Sequence, residues 1–67
     1  MEINLNNQVK ELQPNISVKE LLNEFCGDKQ RGVAIAINET VVRRADWETT
    51  VLSEKDKVII IRATQGG

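Results

Sequence analysis

The chain has 67 residues, which is enough for one small domain with a limited core. Nine Lys and Arg residues against ten Asp and Glu residues give a formal net charge of −1, which argues against a nucleic-acid partner. One cysteine and no histidine exclude an internal disulfide, a Cys/His metal site and any catalytic triad whose base is histidine.

The first predicted elements are two short strands joined by a turn. Residues 1–6 alternate between polar and apolar side chains, which is the period of a strand with one buried face. Asn6 and Asn7 suit a two-residue turn, because asparagine tolerates the left-handed backbone conformation. A second strand is predicted at residues 8–12, with Val9 as an apolar anchor.

A helix over residues 18–26 is the most clearly marked element. Ser17 and Glu20 have the spacing of a capping box, in which each side chain accepts a hydrogen bond from the backbone of the other residue. Gly27 is expected to end the helix. The apolar side chains recur with the helical period and are expected to form one buried stripe of Val18, Leu21, Leu22 and Phe25.

Residues 33–37 alternate large aliphatic side chains with alanines, which predicts a strand inside a sheet. The large side chains are expected to face the helix, so that Ala34 and Ala36 form a flat outer surface. A short strand is predicted at residues 40–43, followed by one helical turn that packs Trp47 at the edge of the core.

The last predicted strand, residues 57–62, contains four consecutive apolar residues, as is typical of a central strand. The resulting order is two strands, one helix, two strands, a turn and a final strand that pairs beside the first. This predicts an α+β, ubiquitin-like β-grasp domain at residues 1–62, with a mixed sheet of four to five strands and one helix packed on one face. Residues 63–67 are then expected to form a flexible tail.

The tail ends in Gly66 and Gly67. Five extended residues reach about 17 Å, at roughly 3.3–3.6 Å per residue, which is enough to enter the active site of another protein. Glycine has no Cβ, so this backbone can pass through a narrow channel and leaves the carbonyl of Gly67 open to a nucleophile. Gly-Gly at a terminus is weak evidence by itself, because it is also common in disordered ends.

No basic segment followed by an apolar core stands at the N-terminus, so no signal peptide is expected. No apolar run approaches the roughly 20 residues of a membrane-spanning helix. We therefore expect a cytoplasmic protein that does not bind membranes.

The sequence as a whole resembles the ThiS family, ubiquitin-like sulfur carriers of thiamin thiazole biosynthesis. The most specific matching segments are Val33–Asn38, Val41–Val42 with Arg44 and Trp47, Asp56, and Ala63–Gly67. Two positions depart from the family pattern: Arg43 stands where proline is frequent, and Lys55 stands where glycine is frequent. Both fall in predicted surface connections.

The resemblance implies a carrier without catalytic residues, metal or cofactor of its own. A ThiF-like adenylating enzyme would use ATP to convert the Gly67 carboxylate to an acyl-adenylate. Sulfur from a cysteine desulfurase or another donor would then give a Gly67 thiocarboxylate, which the thiazole synthase ThiG would receive. Gly66 would fit the narrow channel of these partners.

Alternation along the last strand separates Val58 and Ile60 from Ile59 and Ile61, but it does not show which pair is buried. The family resemblance assigns Val58 and Ile60 to the core. An exposed apolar surface for partners is then expected, and with the tail residue it comprises Ile59, Ile61, Ala34, Ala36 and Gln65. The alternative is a β-sheet face that is merely apolar.

Other functions remain open at this stage. A carrier for molybdenum cofactor or another sulfur-transfer pathway, a ubiquitin-like modifier of lysines, and a non-covalent β-grasp module all fit the same pattern. Cys26 could handle a persulfide, but we favour a small buried side chain. Arg43 and Arg44 could steer an acidic partner, although we favour a solvated charge pair.

Overall fold

The computed structural model describes residues 1–27 and 30–62. The predicted tail, with Gln65, Gly66 and Gly67, lies outside the described residues. The elements in chain order are strand β1 (Glu2–Leu5), strand β2 (Gln8–Glu11), helix α1 (Val18–Cys26), strand β3 (Val33–Ile37), strand β4 (Thr40–Val42), a 3₁₀ turn (Arg44–Asp46) and strand β5 (Lys57–Arg62).

The described strands form one mixed five-stranded sheet in the order β2-β1-β5-β3-β4. Strands β1 and β5 are parallel, whereas the β1–β2, β3–β4 and β3–β5 pairs are antiparallel. The last strand therefore lies in the centre, beside the first strand, and the predicted β-grasp arrangement is confirmed.

Helix α1 begins and ends as its sequence predicts. The Ser17 hydroxyl accepts a hydrogen bond from the Glu20 backbone N–H (3.1 Å), and the Ser17 N–H donates to the Glu20 carboxylate (2.9 Å). Gly27 follows the helix with φ 60° and ψ −128°, a conformation that side chains other than glycine rarely adopt.

The core lies between α1 and one face of the sheet. It takes apolar side chains from the helix and the sheet, and from connections such as the residue after the 3₁₀ turn, Trp47. The buried apolar residues are Ile3, Leu5, Ile16, Val18, Leu21, Leu22, Cys26, Val33, Ile35, Trp47, Leu52, Val58 and Ile60.

Two predicted core residues, Val9 and Phe25, are exposed, at 68% and 42%. The pairing of Asn4 with Val9 places Val9 on the outer face of the sheet, and the pairing of Ile3 with Lys10 places a lysine on the helix face. Phe25 consequently has no apolar side chain of β2 to pack against, and it lies at the rim of the domain beside Lys10.

The turns place several side chains in the left-handed region. Asn6 and Asn7 have φ 49° and 68°, as predicted for a two-residue hairpin turn, and Asn38 and Glu39 repeat this geometry between β3 and β4. Lys55 also has a positive φ, 67°.

In the part of the chain that the structure describes, no helix has the length and apolar character needed to cross a membrane. Within the same two ranges, 1–27 and 30–62, the acidic and sulfur-containing side chains form no cluster of three that could hold a metal ion.

Candidate functional site

The two sets of apolar side chains on β5 point to opposite faces of the sheet. Val58 and Ile60 are buried under α1, whereas Ile59 is 38% and Ile61 is 61% exposed. The structure therefore gives β5 the orientation that the resemblance implied.

The outer face of β3 and β5 carries an apolar surface built from cross-strand pairs. Ala34 lies opposite Ile61, and Ala36 lies opposite Ile59, so the structure brings all four predicted surface residues together. Because the alanines are small, the two isoleucines stand above their neighbours. We call these four residues the outer patch.

Val41 extends the outer patch on the neighbouring strand, and the sequence reasoning missed it. It lies opposite Ala36 in the register of β3 and β4, and its side chain is largely exposed. The alternation of Thr40, Val41 and Val42 could have indicated it, since residue 42 is partly buried against the core and residue 41 must then face outward.

Asn6 fixes the strand from which the tail continues, a role that its position in a turn did not suggest. Its side-chain oxygen accepts a hydrogen bond from the Ile60 N–H (2.9 Å), and its side-chain N–H donates to the Ile60 carbonyl (3.3 Å). The Asn6 backbone N–H donates to the Val58 carbonyl (2.9 Å). Asn6 thus continues the pairing of β1 along β5 beyond the end of β1.

Cys26 is buried at the end of α1, where an Nη of Arg62 lies 3.6 Å from its Sγ atom. The burial agrees with a small packed side chain. Arg62 is the last residue of β5 and is held near the helix by this contact.

The outer patch can bind another apolar surface, but its alanine, isoleucine and valine side chains carry no nucleophile and no group that transfers a proton. Contiguous exposed apolar surface of this kind marks interaction sites on small proteins. Gln65, Gly66 and Gly67, the other predicted site residues, lie outside the described residues.

Comparison with known proteins gives concordant results for sequence and structure. The sequence model of the ThiS family matches residues 3–67. The chain is 30% identical over 67 residues to the sulfur carrier protein ThiS of Escherichia coli (strain K12), with complete coverage of both chains.

Two solved structures of the thiamine biosynthesis protein ThiS from Geobacter metallireducens share the fold. The crystal structure has a TM-score of 0.85 at 22% identity and covers both chains completely. The solution structure has a TM-score of 0.81 at 22% identity and covers 100% of this chain and 88% of the other. These structures show the shared fold. The family match over residues 3–67 and the 30% identity to the Escherichia coli relative show that the chain belongs to the ThiS family.

Proposed function

We propose that the protein is a sulfur carrier for thiazole formation in thiamin biosynthesis, and that the Gly67 carboxylate carries the sulfur as a thiocarboxylate. The observation that carries this proposal is the family match, which runs through residue 67 and so includes the Gly-Gly end. The name of the Escherichia coli relative, a sulfur carrier protein, supports the same function.

The proposed chemistry begins with a carboxylate, which does not react with nucleophiles until one oxygen becomes part of a good leaving group. A ThiF-like adenylating enzyme supplies that group: the Gly67 carboxylate attacks the α-phosphorus of ATP and releases pyrophosphate. Sulfur that originates from a cysteine desulfurase then replaces AMP. The thiocarboxylate passes to a ThiG-like thiazole synthase, in the cytoplasm.

In this proposal the carrier is a substrate and not an enzyme, and ATP binds to its partner. The folded domain serves as a handle by which successive enzymes hold the same chain end. The outer patch, with Gln65 of the tail, is the proposed docking surface, because Ile59 and Ile61 present apolar area close to the end of β5.

Gly66 is proposed to pass through the narrowest part of the channel in the adenylating enzyme. A bulky residue at this position, as in Gly66→Phe, is expected to block thiocarboxylate formation and leave the fold unchanged. Normal modification of this variant would contradict the proposed role.

The test is the intact mass of the untagged protein after incubation with ATP, a sulfur donor and the ThiF-like enzyme of the host. The expected result is a gain equal to the exchange of one oxygen for sulfur, absent when Gly67 is deleted. If the ThiF-like enzyme is demonstrably active and the mass of the protein does not increase, the proposal of a thiazole carrier is contradicted. Modification by the adenylating enzyme of molybdenum cofactor synthesis would then indicate a carrier for that pathway. Conjugates on lysines of other proteins would indicate a ubiquitin-like modifier.

A further inference from the structure

A cavity lined by cationic side chains lies on the helix side of the domain, away from the outer patch. An open cavity of about 280 Å³ is formed between α1, the residues before β3, and the 3₁₀ turn. Six described residues line it, of which three are cationic and none is acidic: Lys19, Asn23, Gly27, Gln30, Arg31 and Arg44. We call it the cationic cavity.

Gln30 organises the cationic cavity. Only 9% of Gln30 is exposed, and its side-chain N–H groups donate to the Asn23 side chain (2.7 Å) and the Gly27 carbonyl (2.8 Å). Its side-chain oxygen accepts from the Lys19 ammonium (2.8 Å), and its backbone carbonyl accepts from the Arg44 guanidinium (3.0 Å). One buried residue therefore holds two cations in place.

The buried ring of Trp47 forms the floor beneath the same two cations. The Arg44 guanidinium carbon lies 4.9 Å from the ring centroid, and the Lys19 nitrogen lies 5.8 Å from it. The indole N–H donates to the Val42 carbonyl (3.1 Å), which fixes the ring. Arg43 and Arg44 are both exposed, as expected from the sequence, and Arg44 in addition contacts Gln30 and Trp47.

Two like charges held over one ring repel each other, and none of the six lining residues that the structure describes is acidic. Glu48 lies in the adjoining cavity, which Lys19, Arg44 and Trp47 also line. An ammonium has three N–H donors and a guanidinium has five, so both retain donors after their hydrogen bonds to Gln30. An oxyanion placed in the cavity would accept these hydrogen bonds and relieve the repulsion. Hydrogen bonds to Gln30 already hold the Lys19 and Arg44 side chains, so binding would cost little further conformational entropy for these two.

The cationic cavity lies at the end of the sheet where β5 finishes. Val33, which follows the lining residues Gln30 and Arg31 in the chain, pairs with Arg62. Ile35 pairs with Val42, which lies two residues before Arg44. A protein that takes up five residues beyond Arg62, a reach of about 17 Å, must approach this end of the domain. The cavity is open, with a volume of about 280 Å³, so a side-chain carboxylate of another protein can enter it.

On the basis of the proposed function, we propose that the cationic cavity seats an aspartate or glutamate side chain of the protein that takes up the tail. The outer patch and the cavity then contact the partner on two sides of β5. This two-point contact fixes the rotation of the domain about the tail, which a single apolar patch would leave undetermined.

The test compares two charge reversals that change net charge equally. Arg31 lines the cavity and is exposed, while Lys19 and Arg44 hold Gln30, so Arg31→Glu alters the site with little effect on folding. Arg43→Glu is the control, because Arg43 is exposed, adjacent to Arg44 in sequence and outside the cavity lining. Calorimetry would measure the Kd for the ThiF-like enzyme without ATP, and for the ThiG-like synthase, at low ionic strength.

Arg31→Glu is expected to weaken binding to at least one of the two enzymes by about tenfold, and Arg43→Glu by about twofold or less. If both variants weaken binding equally, the overall charge of the domain explains the effect and the proposal is overturned. Unchanged binding of Arg31→Glu to both enzymes would overturn it as well.

Two further measurements separate this proposal from its alternatives. If the wild-type protein acquires the thiocarboxylate and Arg31→Glu binds normally, the docking proposal fails and the carrier function stands; if the wild type is never modified, the carrier function itself fails. Titration with inorganic phosphate, followed by the fluorescence of Trp47, the one tryptophan of the chain, tests a free anion. Saturable phosphate binding that Arg31→Glu abolishes would assign the cavity to phosphate and overturn protein docking.

Discussion

At the scale of single residues, positive φ angles separate positions that suit their residues from two that do not. Gly27 needs glycine because of its backbone conformation alone, since a Cβ there would meet no atom within 4 Å. Asn6, Asn7 and Asn38 are among the residues that adopt the left-handed region at low cost. Glu39 and Lys55 are not, and the φ of Lys55, 67°, is one that glycine adopts without strain.

Replacing Lys55 by glycine is expected to stabilise the domain by up to about 1 kcal/mol, because glycine adopts φ 67° without the steric conflict of a Cβ. Urea unfolding would measure this difference. The control is Lys55→Ala, which removes the charge but keeps the Cβ and should leave the unfolding free energy almost unchanged. A gain of equal size in both variants would attribute the effect to charge and not to the backbone.

At the scale of elements, β5 is fixed by different means along its two edges. Antiparallel pairing with β3 extends from Val58 to Arg62. The parallel pairing with β1 is registered only at Lys57 and Val58, and the Asn6 side chain continues it at Ile60. The half of β5 nearest the tail therefore depends on one side chain along its β1 edge.

Asn6→Gly tests this dependence, since glycine keeps the positive φ and removes both side-chain hydrogen bonds to Ile60. A loss of about 1–3 kcal/mol in unfolding free energy is expected for two hydrogen bonds. Hydrogen exchange of the Ile60 amide should accelerate more than that of the Ile35 amide. Ile35 lies in β3, between β5 and β4. Uniform acceleration of both amides would show a global effect instead.

Ile59→Glu is expected to weaken binding to the adenylating enzyme by about tenfold or more, because it places a charge in the centre of the outer patch. The fold should persist, since Ile59 faces outward. Val9→Glu is the matched control, because Val9 is exposed on the same face but belongs to β2, two strands away from β5. Surface plasmon resonance and circular dichroism would report binding and folding. If Ile59→Glu and Val9→Glu bind equally well, the outer patch is not part of the interface.

The elements that could be predicted from the sequence are those whose pattern is local. The capping box fixes the start of α1, and the alternation of residues 33–37 fixes a strand. Val9 and Phe25 could not be placed, because the face that an edge strand presents depends on its register with β1. The cationic cavity escaped prediction because Gln30 joins Lys19 to Arg44 across 25 residues of sequence, which no local pattern records.

At the scale of the whole molecule, every buried apolar residue among those described lies between Ile3 and Ile60. These residues form one continuous hydrophobic cluster by themselves. We therefore expect the domain to fold without a contribution from residues 63–67.

Removal of residues 63–67 is accordingly expected to change the unfolding free energy by less than about 0.5 kcal/mol while abolishing thiocarboxylate formation. Thermal unfolding and intact mass would measure the two effects on the same preparation. A substantially lower Tm in the truncated chain would show that the tail belongs to the domain, contrary to the predicted boundary.

The central position of β5 also has a consequence for the synthesis of the chain. Strands β1 and β3 lie on either side of β5 and are joined through it, so the sheet stays divided in two halves until the last strand is available. Contacts between the first and last strands are also among the slowest to form, because they close the longest loop. Folding must therefore wait until the ribosome has made β5. A nascent chain interrupted before that strand is expected to remain unfolded and open to proteolysis, so folding is linked to the synthesis of the strand that leads to the tail.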